Sequence, residues 1–144
     1  MYLYDTGKHL VSIGVPHDGH LCLWDWKSGT LLAKARASTA SLPACAMQFA
    51  SDGSFFVTGG AKHLKHWMIG VPKARSAGGN GTIGLEGKAV KLGSQIDSLF
   101  VSIMSAPSPK EPTAATPDYQ PLYALTAGGK LTFLTIHMMC SFLH

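Results

Sequence analysis

Two tryptophans 43 positions apart, Trp24 and Trp67, each close a five-residue segment that opens on His-Leu. HLCLW (His20 to Trp24) aligns with HLKHW (His63 to Trp67) at that offset. LVSIG (Leu10 to Gly14) aligns with FVTGG (Phe56 to Gly60) at an offset of 46, so the first copy carries a hairpin three residues longer. A repeat near 43 residues, built of short runs between turn formers, restricts the chain to architectures in which one supersecondary unit stacks on the next. Strands at this spacing, without intervening helical periodicity, exclude an alternating strand–helix layout.

The first copy shows what the unit is. Residues 9–15 are apolar and β-branched, PHDG (Pro16 to Gly19) is dense in turn formers, and HLCLWDW alternates into a second strand that ends at Lys27-Ser28-Gly29. TLLAKARA (Thr30 to Ala37) supplies a further strand. The second copy repeats this grammar, with strands expected at Ala44 to Ala50, Ser54 to Gly59 and His63 to Ile69. The period, the turn-bounded strands and the closing tryptophan match a four-stranded blade of a propeller. In such a blade a large aromatic at the end of the third strand fills the wedge to the neighbour, and its indole N–H needs an acceptor. A hydroxyl on the preceding strand can accept, and an aspartate in the tight turn can take a bond from a nearby histidine or backbone N–H. Ser12, Asp18 and Trp24 occupy these positions in the first unit. Thr58 and Trp67 occupy two of them in the second, with Ala61 at the aspartate position. These residues are read as structural, and such networks stabilise only when complete.

Three domain segments are expected. Residues 1–70 hold two blade units, the chain entering the first in mid-unit. Residues 71–95 are a Gly/Lys-rich connection with weak strand character. Residues 96–139 make part of a third blade, interrupted by a proline-rich insertion at 106–121 with five of the eight prolines and no apolar periodicity, expected to be disordered. YALTAGGKLTFLTIHM (Tyr123 to Met138) is a third hairpin, which no tryptophan closes.

These residues carry a family resemblance. The pattern resembles the WD-repeat family, with Trp24-Asp25 as the namesake dipeptide and Ser12, Asp18 and Trp24 as its hydrogen-bonded core. No Gly-His stands where the family places the histidine of that core. The wording HLVSIGVPHDGHLCLWDWKSG…FASDGSFFVTGGAKHLKHW is similar to the subfamily of large WD-repeat scaffolds that includes the mitogen-activated protein kinase-binding protein and the microcephaly and spindle-pole protein, a plant member being one expectation. The resemblance covers residues 5–70 well and 83–137 loosely. It implies an all-β, incomplete WD-repeat propeller of two blades plus part of a third, open at both ends. It also implies a non-enzymatic protein-interaction scaffold, linked to kinase signalling or the cytoskeleton, with protein kinases or cytoskeletal proteins as partners. Open edges imply self-association and poor solubility alone. A truncated gene product without an independent function and an enzyme on a small β scaffold are the alternatives.

Composition narrows these. Three scattered cysteines, Cys22, Cys45 and Cys140, form no disulfide framework and fit a reducing compartment. MYLYDTGKHL lacks the apolar core of a signal peptide, and the C-terminal run LTFLTIHMMCSFLH is too short to span a bilayer. The expected location is cytoplasmic, with cytoskeletal association, and no membrane partner. The net charge of +4 is mild; half of the basic residues fall between Lys62 and Lys91, which reads as a solvated loop rather than a nucleic-acid surface.

Sharper chemistry is outweighed by plainer readings. Gly79 to Gly84 matches G-x-G-x-x-G and Lys91 follows, but no helix start accompanies the loop, so no cofactor is expected. His63 and His66 face opposite sides of a strand, and His17 and His20 lack a third ligand, so no metal is expected. Ser102, Ser105, His137 and the cysteines make no nucleophile–base arrangement, and the eight carboxylates no acid–base pair, so no catalytic residue is assigned. Trp26 reads as packing, and as an interface candidate if exposed. Ser108-Pro109 and Thr116-Pro117 are minimal proline-directed phosphorylation sites.

Overall fold

The computed structural model of the chain describes residues 4–5, 7–14, 18–37, 44–51, 53–72, 83–106 and 119–137. Among the described residues, eleven strands form three antiparallel sheets. Sheet one contains β1 (Tyr4–Asp5), β2 (His9–Ile13), β3 (His20–Asp25) and β4 (Thr30–Arg36), paired in chain order. Sheet two contains β5 (Ala44–Phe49), β6 (Phe55–Gly60), β7 (His63–Pro72) and β8 (Ile83–Ala89), again in chain order. Sheet three contains β9 (Phe100–Ser105), β10 (Tyr119–Thr126) and β11 (Leu131–His137). β5 lies beside both β1 and β9, while β4 lies beside β8, so the sheets follow one another as blades, first strands inward and fourth strands outward. The fold is a partial β-propeller, two four-stranded blades and three strands of another.

Turn chemistry sets the registers. The β2–β3 hairpin closes where the Gly14 N–H donates to the His20 carbonyl at 2.9 Å. β6 and β7 pair from Gly60 and His63, leaving Ala61 and Lys62 to turn, with Lys62 at φ 57°. Side chains rarely adopt that conformation, but the fold holds this one. Its N–H donates to the Ser98 carbonyl at 2.9 Å, Ala61 bridges to Leu99, and the Lys62 ammonium sits 2.9 Å from Asp97. This hairpin is thereby tied to the turn that precedes β9.

Two apolar cores result. Val11, Ile13, Leu21 and Leu23 of sheet one pack against Met47, Phe49, Phe56 and Trp67 of sheet two. Ala46, Phe55, Val57 and Leu64, on the opposite face of sheet two, pack with Phe100, Ile103, Leu122, Ala124 and Leu134 of sheet three. β6, FFVTGG, is consequently buried at all six positions, because both of its faces are covered. Phe56 stacks on Trp67 at 6.0 Å between centroids and 11° between planes, with Phe49 tilted against it at 5.3 Å. Full burial of each such side chain contributes about 1.5–3 kcal/mol.

Three stretches differ from the sequence expectation. The 71–95 segment was expected as a connection with weak strand character, near Thr82 to Leu85 and Lys88 to Leu92; β8 there is a full fourth strand of sheet two, paired with β7 from Ile83 to Ala89. Its IGLEGKA sequence is poor in strand formers, so pairing and packing rather than propensity hold it extended. The third blade, expected from residue 96, begins with β9 at Phe100; a 3-10 turn at Gly93–Gln95, held by the Gln95 N–H on the Leu92 carbonyl and the Ser98 hydroxyl on Gln95, comes first. The insertion expected to reach Pro121 ends earlier, since Tyr119 to Pro121 pair with Thr135 to His137 in β10 and β11. Its residues 107–118 lie outside the described residues.

Candidate functional site

The hydroxyl and tryptophan of each unit are neighbours across a hairpin. In sheet one the Trp24 Nε1–H donates to Ser12 Oγ at 2.9 Å, and in sheet two the Trp67 Nε1–H donates to Thr58 Oγ1 at 3.0 Å. Register explains the match. Ser12 and Thr58 stand two residues before the hairpin closure, and each tryptophan stands four residues after the strand residue that closes it. Counted the same way from the Thr126–Lys130 closure, sheet three places Ala124 and Leu134 there. Both are buried and apolar. The third unit therefore substitutes the donor and the acceptor together, which leaves neither orphaned and is nearly neutral.

The histidines that open the aligned segments diverge. His20 bonds Asp18, Nδ1 to Oδ1 at 2.6 Å, in an exposed pair. Asp18 thus bonds its neighbouring histidine, while Ser12 and Trp24 form a separate pair. The His20 bond comes first among the causes that hold the Asp18 carboxyl below the usual range. Asp18 lies over Gly14, where any Cβ would collide with its carboxylate. In sheet two, where Ala61 stands at the aspartate position, His63 Nε2 lies 3.3 Å from Thr58 Oγ1 and extends the pair to His63–Thr58–Trp67. Burial, then Lys65, lowers the His63 pKa and keeps the ring neutral. Sequence reasoning left His63 without a role, although the HLCLW/HLKHW alignment opens on it. His66 points to the other face, edge-on to Phe55 at 5.0 Å, with its Nε2 buried and unpartnered.

Asp25, the second residue of the dipeptide, organises the β3–β4 turn. Its Oδ1 accepts the N–H groups of Lys27 at 3.0 Å and Ser28 at 3.2 Å, and Gly29 completes the turn at φ 68°. These backbone donors, Ser28 foremost, hold its carboxyl below the usual range. The turn presents Trp26, which is 46% exposed, with the Lys27 ammonium 5.9 Å from its ring centre. Trp26 stands one residue beyond the end of β3, and its exposure is the condition under which it was named an interface candidate. A groove between the outer strands is lined by Leu31, Leu32, Lys34, Ile83 and Leu85.

Ser108 and Thr116 lie outside the described residues, as do His17 and Cys140. Gly84 of the glycine-rich motif lies in β8 opposite Val71. Among the described residues no three His, Cys, Asp or Glu side chains cluster as metal ligands, Cys22 and Cys45 are in no disulfide, and no helix is long and apolar enough to cross a membrane.

Sheets and pairs together define a partial propeller whose two four-stranded blades are each bonded internally by hydroxyl and indole. No protein-family model matches the chain. Over 78 residues, 54% of its length, it is 32% identical to mitogen-activated protein kinase-binding protein 1 of Mus musculus, and equally to that of Homo sapiens. The chain spans only 5% of the length of these relatives.

Proposed function

We propose that the chain is a WD-repeat segment that serves as a non-enzymatic protein-interaction scaffold, of the kind found in the kinase-binding and spindle-pole scaffold subfamily. The observation that carries this reading is the repeated hydroxyl–tryptophan blade, in a chain of which 78 residues are similar to a kinase-binding protein. A rigid stack of sheets presents its turns in fixed positions, and the turn after β3 offers Trp26, an aromatic of the type that dominates interface energies. Its partners are protein kinases of the mitogen-activated class or cytoskeletal proteins, in the cytoplasm. Phosphate on Ser108 or Thr116 would place negative charge beside Lys110 and tune that docking.

Binding of a purified mitogen-activated protein kinase to the immobilised full chain tests the proposal. Saturable binding is expected, weakened at least about tenfold by Trp26→Ala, equivalent to about 1.4 kcal/mol. Absence of binding would overturn the kinase reading. Unchanged affinity in Trp26→Ala would move the contact away from the β3–β4 turn.

A further inference from the structure

Between the outer strands of sheets one and two, Leu31 and Leu32 of β4 and Ile83 and Leu85 of β8 line a groove of about 320 Å³. That volume stands at the low end of ligand pockets, which run from about 300 to 1,000 Å³, and it holds a few side chains. Leu32, Ile83 and Leu85 are partly buried against the core between the two sheets, and Leu31 is 43% exposed, so the apolar lining carries that core out to solvent. Both walls are sheet edges. β4 and β8 are the last strands of their sheets, and among the described residues each is hydrogen-bonded on one side only. Their free sides carry main-chain N–H and C=O groups with which an extended segment can pair.

Lys34 is the one charged side chain lining the groove. It is exposed and enters no ion pair among the described residues. Asp18 feels its charge without pairing with it, being bonded to His20. Glu86 follows Leu85 but stands on the other face of sheet two. It is in register with Met68, which packs against the core shared with sheet three, and it meets the Lys88 ammonium at 3.5 Å. Among the described residues the groove is therefore apolar, with one positive charge that no carboxylate pairs with.

We propose that this groove docks an extended segment of a partner protein, one that carries apolar side chains at alternate positions with an aspartate or glutamate beside them. The main chain of the segment runs along the free edge of β4, its apolar side chains enter the space between Leu31 and Leu85, and its carboxylate meets Lys34. Alternate side chains of a strand point the same way, so an extended segment delivers more than one of them to a single groove. Leu31 to Lys34 span about 10 Å of strand, the length of three or four residues of such a ligand. One lysine suits one carboxylate, whereas a nucleic-acid backbone would call for a row of cations. The inference rests on the groove and not on the kinase contact at Trp26.

Selection of a phage-displayed library of random peptides of about seven residues on the immobilised full chain is the test. Enrichment of peptides with alternating apolar residues and an aspartate or glutamate is expected. A synthetic copy of a selected peptide should bind Lys34→Glu and Leu31→Ser at least about tenfold more weakly than the unaltered chain, while the far-ultraviolet circular dichroism of both variants stays unchanged. Exchanging the acidic residue of that peptide for lysine should restore its binding to Lys34→Glu, which assigns the charge contact to position 34. No enrichment, or enrichment of peptides without an acidic residue, would overturn the proposal. So would an affinity indifferent to both substitutions, or a groove closed by a second copy of the chain, seen as a dimer in sedimentation velocity that excludes the peptide.

Discussion

At the scale of single residues, the informative contrast is between a pair that is complete and a pair that is replaced. Thr58 and Trp67 satisfy one another between two sheets, with Thr58 0% and Trp67 3% exposed. Thr58→Val keeps the volume and strands the indole N–H, so it should destabilise by about 1–3 kcal/mol in a denaturant titration. Adding Trp67→Phe to that variant removes the stranded donor. The double variant should therefore cost less than the sum of the two single changes, as the apolar Ala124 and Leu134 of the third unit already illustrate. Strict additivity would mean that the bond contributes nothing. The three residues of the first unit were legible because hydroxyl, aspartate and tryptophan are conspicuous types at fixed spacing. The bond of Asp18 to a nearby histidine was legible as well, although spacing left open which of the two flanking histidines makes it, and it is His20.

Among the elements, β8 is the one whose sequence conceals its role. Gly87 pairs with Trp67, and a Cβ there would stand 2.6 Å from the indole Cζ3. A glycine weakens strand propensity, yet here it makes the space in which the tryptophan lies flat on its neighbour. Gly87→Ala should destabilise by about 1–3 kcal/mol, although alanine usually stabilises an extended strand relative to glycine. Recovery of the loss in Gly87→Ala combined with Trp67→Leu, measured by thermal melting, would locate the cost in that contact; equal loss in both backgrounds would locate it in the backbone. β2, β3, β5, β6 and β7 were readable from alternation and turn formers. β8 was legible only as weak strand character and the first residues of β10 were not legible, because glycine, charge and proline mask strands that are held by their partners.

Considered whole, the molecule is two interfaces sharing one sheet, and a neutral histidine serves each. Burial lowers the pKa of both His63 and His66; nearby Lys65 adds to this at His63, and Lys88 at His66, where Glu86 opposes. Their unfolded-state value is 6.5, and the folded-state values lie below it. The unfolded chain therefore takes up protons first. The stability these two groups contribute is complete above pH 6.5 and is lost as pH falls below it toward the folded-state values. The thermal midpoint should decline between pH 7.5 and about 5.5, and less steeply in His66→Leu, which also removes a buried nitrogen that has no partner. An identical slope in that variant would exclude His66 as a source.

The burial of β6 on both faces has a consequence for how the chain comes apart. A strand that belongs to both cores denies each of them an independent melting event. Loss of either neighbouring sheet bares half of FFVTGG, and its amide hydrogens should exchange with solvent only through the global opening. Sheets one and three would then report a single cooperative transition, in which the middle strand is the last protected segment and the timekeeper for the rest.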